Sequence, residues 1–484
     1  MIDRSINVFK NLFGVSLLSL ALVQTACTSS SGGGSSIGSP SKETEGEAPA
    51  TYLVFDACPG AYDSCGLWKM DGSSAPVELK APASNFIGAY NFTYVNGKYF
   101  FTARDPDNSG KTRLWVTDGT SEGTQQLTFQ NTLNDLSVEK IIPFGTKVLF
   151  VAWDNPADYA DSIQGELYIS DGTVAGTLLV KDINPGLGQS SQPSNFVVMG
   201  GKAYFSALHG DTGVELFVTD GTAAGTHILK DLSPGQGHGS PENLVKLGDR
   251  IVFNATSAEG VELWVSDGTE AGTTILKDIV PGDGSGGPSR MTVIDGKIYF
   301  QALDANGHYQ PFVSDGTEAG TFRIAEVNPG LDTDIGWFMK MGTTNKVIFS
   351  ARASNNSYKL YLTDGTLGNI TPINASWSMN AMRPQSLGGL ILFEACDVTY
   401  GCEPWVTDGT DSGTKILKDI YPSTYHADIS NFYKLGEKLY FAANDGTNGN
   451  ELWSTDGTSN GTNIFKDINP GSDSSFPFLD GYSD

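Results

Sequence analysis

Residues Glu262–Gly282 read ELWVSDGTEAGTTILKDIVPG, and the reading of this stretch decides the fold. VELWVS and TILKDI each have the length and β-branched content of a strand. Asp267-Gly268 lies between them, which is a hairpin signal. Gly accepts positive φ without steric cost, and the Asp oxygen can take backbone N–H groups two residues on. Thr269 and the later Gly272-Thr273 can complete the corner in the same way. A calcium ion needs roughly six to eight oxygens, and one Asp with one Thr supplies too few. The Asp is therefore expected to be a structural turn residue, with no metal at the corner.

The phrase returns along the whole chain. Its corner residues are Asp71, Asp118, Asp171, Asp220, Asp267, Asp315, Asp364, Asp408 and Asp456, spaced 44 to 53 residues apart. A period of this size signals a repeat architecture. One period, Asn195 to Asp231, divides into NFVVMGG, KAYFSAL, the loop HGDTG, VELFVTD, the corner GTAAGT and HILKDL. That is four short antiparallel strands without helical periodicity, the pattern of a propeller blade. The third strand carries an aromatic at one phase in every copy: Trp68, Trp115, Tyr168, Phe217, Trp264, Phe312, Tyr361, Trp405 and Trp453. Large rings are expected to fill the wedge between radiating sheets. TYLVFDA at the start matches a second strand, and SSFPFLDGYSD at the end matches a first. Pairing the two closes the ring and removes both sheet edges. The fold class is therefore all-β, a β-propeller of about nine blades, with eight and a degenerate terminal unit as the alternative.

The pattern E-L-W-x-x-D-G-T-x-x-G-T followed by D-I-x-P-G resembles the bacterial ELWxxDGT repeat family over nearly all of residues 51–484. Copies Glu262–Gly282 and Glu451–Gly471 match it best. The sixth copy reads YQPFVSDGT, the seventh KLYLTDGTLGNITPI and the first GLWKMDGSSAP, each a departure. The resemblance implies a secreted or surface-attached repeat protein and brings no catalytic residues.

Composition agrees with a turn-rich β protein: 58 Gly and 22 Pro in 484 residues, with 18% charged residues. The formal charge of −25 argues against nucleic acid and anionic lipid as partners, because both would be repelled. It could attract divalent cations weakly, and no cofactor is expected. At the N-terminus Arg4 and Lys10 precede an apolar run, LFGVSLLSLALV, which is too short to span a membrane and reads as an export signal over 1–26. Thr25 and Ala26 before Cys27 resemble a bacterial lipobox, with Gln24 where Leu is usual. That makes Cys27 a lipidation candidate and implies the outer membrane; signal cleavage near Ala26 without a lipid is the alternative. Residues 27–50 form a Gly/Ser-rich tether that spans roughly 25 Å on average.

Cys58 with Cys65, and Cys396 with Cys402, occupy matching positions between second and third strands. Their spacings are not C-x-x-C and no His lies near in sequence, so in an exported chain two hairpin disulfides are expected rather than a metal site. Each contributes about 2 kcal/mol by loop-closure entropy. The five histidines, His209, His227, His238, His308 and His426, fall at different strand or loop positions. No zinc-protease helix, nucleophile elbow or phosphate loop is present.

The loops between strands two and three vary most. They should share one face with the Pro-Gly connectors, while the corners share the other with the strand one–two turns. The longest, Trp153 to Gly165, holds Asp154, Asp158, Tyr159 and Asp161 and is a candidate binding loop. The expected function is a monomeric, envelope-tethered binding or scaffolding module for a protein or glycan, touching membrane only through its anchor. The rival is a carbohydrate-active hydrolase or lyase using the central channel.

Overall fold

The computed structural model describes residues 52–479, apart from 61–64, 81–86, 105–110, 130–135, 154–164, 187–188, 236, 354–356, 378–380 and 431. Nine antiparallel sheets follow one another in chain order, and the described residues contain no helix. Eight sheets have four strands in sequence order. The first has three, Leu53–Ala57, Gly66–Met70 and Val77–Lys80. Its missing inner position is taken from the far end of the chain. Phe478 bridges Asp56, with Asp56 N donating to Phe478 O at 3.3 Å and Phe478 N to Asp56 O at 2.8 Å. Cys58 N donates to Ser475 O at 2.8 Å just beyond. The protein is a nine-bladed propeller with a clasp between its two ends, and the eight-blade alternative does not hold.

A blade has both faces covered, so its middle strands must be apolar on both sides. Each second strand carries Phe-x-Ala, and each Phe stands in register with the third-strand aromatic: Phe55 with Trp68, Phe253 with Trp264, Phe441 with Trp453. The nine phenylalanines (55, 101, 150, 205, 253, 300, 349, 393 and 441) are fully buried. Rings such as Phe150 and Tyr168 lie 5.4 Å apart and stacked. This face of one blade packs on the aliphatic face of the blade before it. Nine hydrophobic clusters result, one per interface. The cluster joining Phe55 and Ala57 to Leu452 and Ile468 closes the ring between blades nine and one. Full burial of one such ring contributes roughly 2–3 kcal/mol.

First strands of adjacent blades lie side by side around the axis. Most carry a bulge, seen as register slips at Ser194/Val197, Glu242/Val245 and Ser289/Thr292. The bulged residues Asn195, Asn243, Arg290 and Arg383 have φ between 51° and 55°. Asn tolerates this conformation through its short polar side chain. Bulged side chains also link neighbours: Asn91 Nδ2 donates to Glu139 O, and Arg290 Nη1 to Gly336 O at 3.1 Å. The inner strands are thus joined by side chains where no backbone ladder runs between blades.

Candidate functional site

The corners show where their polar atoms go. Asp267 Oδ1 accepts Thr269 N at 2.9 Å and Thr269 Oγ1 at 2.7 Å. Gly272 N donates to Thr269 Oγ1 at 3.0 Å, and Thr273 Oγ1 meets Ser266 Oγ at 2.7 Å in the interior. The same Asp bonds recur at Asp118, Asp171, Asp220, Asp315, Asp364, Asp408 and Asp456, and Asp71 does the equivalent with Ser73 and Ser74. The second Gly is required because a Cβ at Gly272 would run into the Asp267 carboxylate. In blade seven, which lacks the second Gly-Thr, Asn369 Nδ2 donates to Asp364 Oδ2 at 2.8 Å instead. These bonds, the Thr269 hydroxyl first, hold the Asp267 carboxyl below its usual range. Each corner also rests on the blade before it, as Arg250 Nη1 does against Gly316 O at 3.2 Å.

The Glu of the ELW motif has a role that sequence reading missed. Its side chain is buried and accepts two backbone N–H groups of the following connector. Glu262 takes Ile279 N and Gly286 N, both at 2.6 Å. Glu215 takes Leu232 and Gly239, and Glu451 takes Ile468 and Ser475. Glu166 takes Ile183 and Ser191, and Glu403 takes Ile420 and Tyr421. Gln310 replaces it in blade six and accepts Val327 N at 3.1 Å. The connector must cross from outermost strand to next innermost strand, and the clamp satisfies its buried donors. Burial raises these carboxyls, to about 7 for Glu166 and Glu215 and about 8 for Glu403, and nearby Asp182, Asp231 and Asp419 add to the rise. The recurrence of Glu at one phase was the available signal. Its partners lie 17 to 25 residues on, beyond any local pattern.

Two histidines also have structural work. An N–H at the start of the third strand is capped by a side chain from beyond the fourth: Val214 by His238 Nδ1 at 3.1 Å and Cys402 by His426 Nδ1 at 3.1 Å. Ser137, Ser285, Asp332 and Ser474 do the same in other blades. These contacts place the strand two–three loops and the connectors on one face. Cys58 is bonded to Cys65 and Cys396 to Cys402. The groupings of these pairs with Asp56 and with His426 therefore offer no thiolate for a metal. Cys27 and the loop residues Asp154, Asp158, Tyr159 and Asp161 lie outside the described residues.

On the loop face, clefts open between the inner ends of adjacent blades. Between blades four and five the cleft is about 240 Å³, lined by Gln192, Ser206, Leu208, Val214, Ser240 and Glu242. Between blade nine and the closing segment it is about 440 Å³, lined by Asp428, Ser430, Asn444, Asn450, Phe476 and Phe478 among others. Glu394, buried nearby, is ion-paired to Arg383.

Comparison with known proteins gives the architecture and no more. No family model matches the chain, and no curated protein matches it. Among solved structures it resembles the "eukaryotic initiation factor", with 12% identity, a TM-score of 0.50, and 89% of this chain and 98% of that chain covered. It resembles the computationally designed Ika8 protein at 13% identity and a TM-score of 0.42, covering 76% and 96%. It resembles puromycin hydrolase at 14% identity and a TM-score of 0.38, covering 75% of this chain and 58% of that one. At 12% identity the first likeness shows the fold alone, and the other two, with TM-scores below 0.5, carry no argument.

Proposed function

We propose that this propeller is a binding module held at a bacterial envelope, recognising a protein or glycan through the face that carries the strand two–three loops. One observation supports this most. The repeated acids of the chain are used by its own backbone at corners and clamps, while among the described residues of the loop face one backbone cap recurs and the side chain that makes it changes from blade to blade. A rigid scaffold with variable loops is where recognition is usually placed. The resemblance to the ELWxxDGT family and the lipobox-like stretch at Cys27 support a lipid tether at the outer membrane. The full chain, with the Trp153–Gly165 and Arg104–Thr112 loops cut to the length of HGDTG, tests the reading against a glycan panel and fractionated envelope proteins. Loss of a partner that the untrimmed chain retains is expected; equal retention overturns the reading. Cys27→Ser should move the protein from the membrane fraction to the soluble one, and continued membrane association overturns the tether.

A further inference from the structure

The repeat supplies its own control, because equivalent clefts can be compared position by position. Phe476 N donates to Asn450 O at 3.2 Å, as Ser240 N does to Val214 O at 2.9 Å. Asn444 N donates to Ala427 O as Leu208 N does to Ser191 O, both at 2.7 Å. Ser475 N bonds the Glu451 clamp as Gly239 N bonds Glu215. Phe476 and Ser240 even share a φ of 43°. The two clefts therefore have one backbone and different linings. Where one has Ser240, Glu242, Leu208, Val214 and Gln192, the other has Phe476, Phe478, Asn444, Asn450 and Asp428.

Those exchanges change the chemistry in one direction. Phe476 and Phe478 remain 44% and 42% exposed, although a propeller has ample interior for rings. They flank the buried Pro477 on the closing segment, whose backbone the clasp holds. The wall opposite is polar. Asn444 Oδ1 accepts Gly446 N, so its Nδ2 is left to donate. Asn450 Nδ2 donates to Asp428 O, so its Oδ1 is left to accept. The Asp428 carboxylate stands exposed at the rim. A volume of about 440 Å³ suits a small ligand or one to three residues of a polymer.

We propose that this cleft binds a neutral saccharide, whose apolar C–H face lies against Phe476 and Phe478 while its hydroxyls bond Asn444, Asn450 and Asp428. A sugar ring has one face that suits an aromatic ring and a rim of groups that both donate and accept. Asp428 and the chain's net charge of −25 disfavour acidic glycans. The inference rests on the binding-module reading and names its ligand class and its place.

The test is saturation-transfer NMR of the full chain with neutral hexose and N-acetylhexosamine trisaccharides. Saturation of the C–H protons on one sugar face is expected. The double variant Phe476→Ser, Phe478→Glu installs side chains that the blade-five equivalents already carry on this backbone. It should weaken binding by about tenfold or more with an unchanged unfolding midpoint. Asn444→Leu, again an equivalent residue, should weaken it several-fold. Equal binding by the double variant, or no binding by any of these sugars at millimolar concentration, overturns the proposal. So does binding that appears only after residues 480–484 are removed, because the chain's own tail would then be the occupant. Retention of a loop-dependent partner by the double variant would sink this inference and leave the binding-module reading standing.

Discussion

The corner face and the loop face repeat equally often, but they repeat different things. At the corners the side chains recur: Asp, Thr, Gly and Thr stand at fixed offsets in most copies, because the carboxylate and the hydroxyls close the turn and the Gly leaves room for the carboxylate. On the loop face the bond recurs and the side chain does not. Ser137, His238, Ser285, Asp332, His426 and Ser474 all cap the same backbone N–H. A cap needs only an acceptor of suitable reach, so sequence there is free to vary. A face whose scaffold tolerates substitution can evolve recognition without loss of the ring.

The largest break in this comparison should come from the clamp that holds the connectors of the loop face. Glu262→Ala leaves the buried donors of Ile279 and Gly286 unpaired and opens a void. It should cost about 3–5 kcal/mol, read from the urea midpoint. Glu262→Gln should cost less than half of that, since Gln310 performs a related task in blade six.

A pH series sharpens the same contrast, because the two kinds of acid have shifts of opposite sign. The folded clamp carboxyls are raised from 4.5, Glu166 and Glu215 to about 7 and Glu403 to about 8. Their contribution is therefore complete below pH 4.5 and declines as pH rises toward 8. The corner carboxyls are lowered, so theirs is complete above about pH 4 and is lost on further acidification. The urea midpoint should peak near pH 5, and Glu403→Gln should flatten its alkaline arm. A midpoint that rises steadily from pH 5 to 8 would contradict the assignment.

At a single corner the effects are smaller. Gly272→Ala drives a Cβ into the Asp267 carboxylate and should cost about 2 kcal/mol. His238→Ser replaces one natural cap by another and should change stability by less than about 0.5 kcal/mol. A large loss there would mean that the loop face is as constrained as the corners.

Much of this was legible in the residues. The spacing of the Asp-Gly pairs gave the blades, and the third-strand aromatics gave the packing phase. The matching half-motifs at 51–57 and 474–484 anticipated the clasp. The cysteine pairs were placed correctly as well. The clamp was not legible, because Glu262 looks like any exposed strand acid until the connector folds over it. Nor was the second-strand Phe recognised as the partner of each third-strand ring, although it recurs in all nine copies. The candidate loop at Asp154–Asp161 drew notice through its length, whereas the blade-nine cleft is built from short, ordinary segments.

The sequence by itself, which left nine or eight blades open, determined the strands, the turns and the residues that complete each corner. Those depend on contacts within about seven residues, where chain connectivity fixes who meets whom. Tertiary structure alone decided which acids are buried as clamps and which cleft opens with rings on one wall and amides on the other. Phe476 and Asn444 face each other only because the final segment docks beside blade nine and completes the first blade. A groove between two sheets is a property of their meeting, and no single repeat contains it.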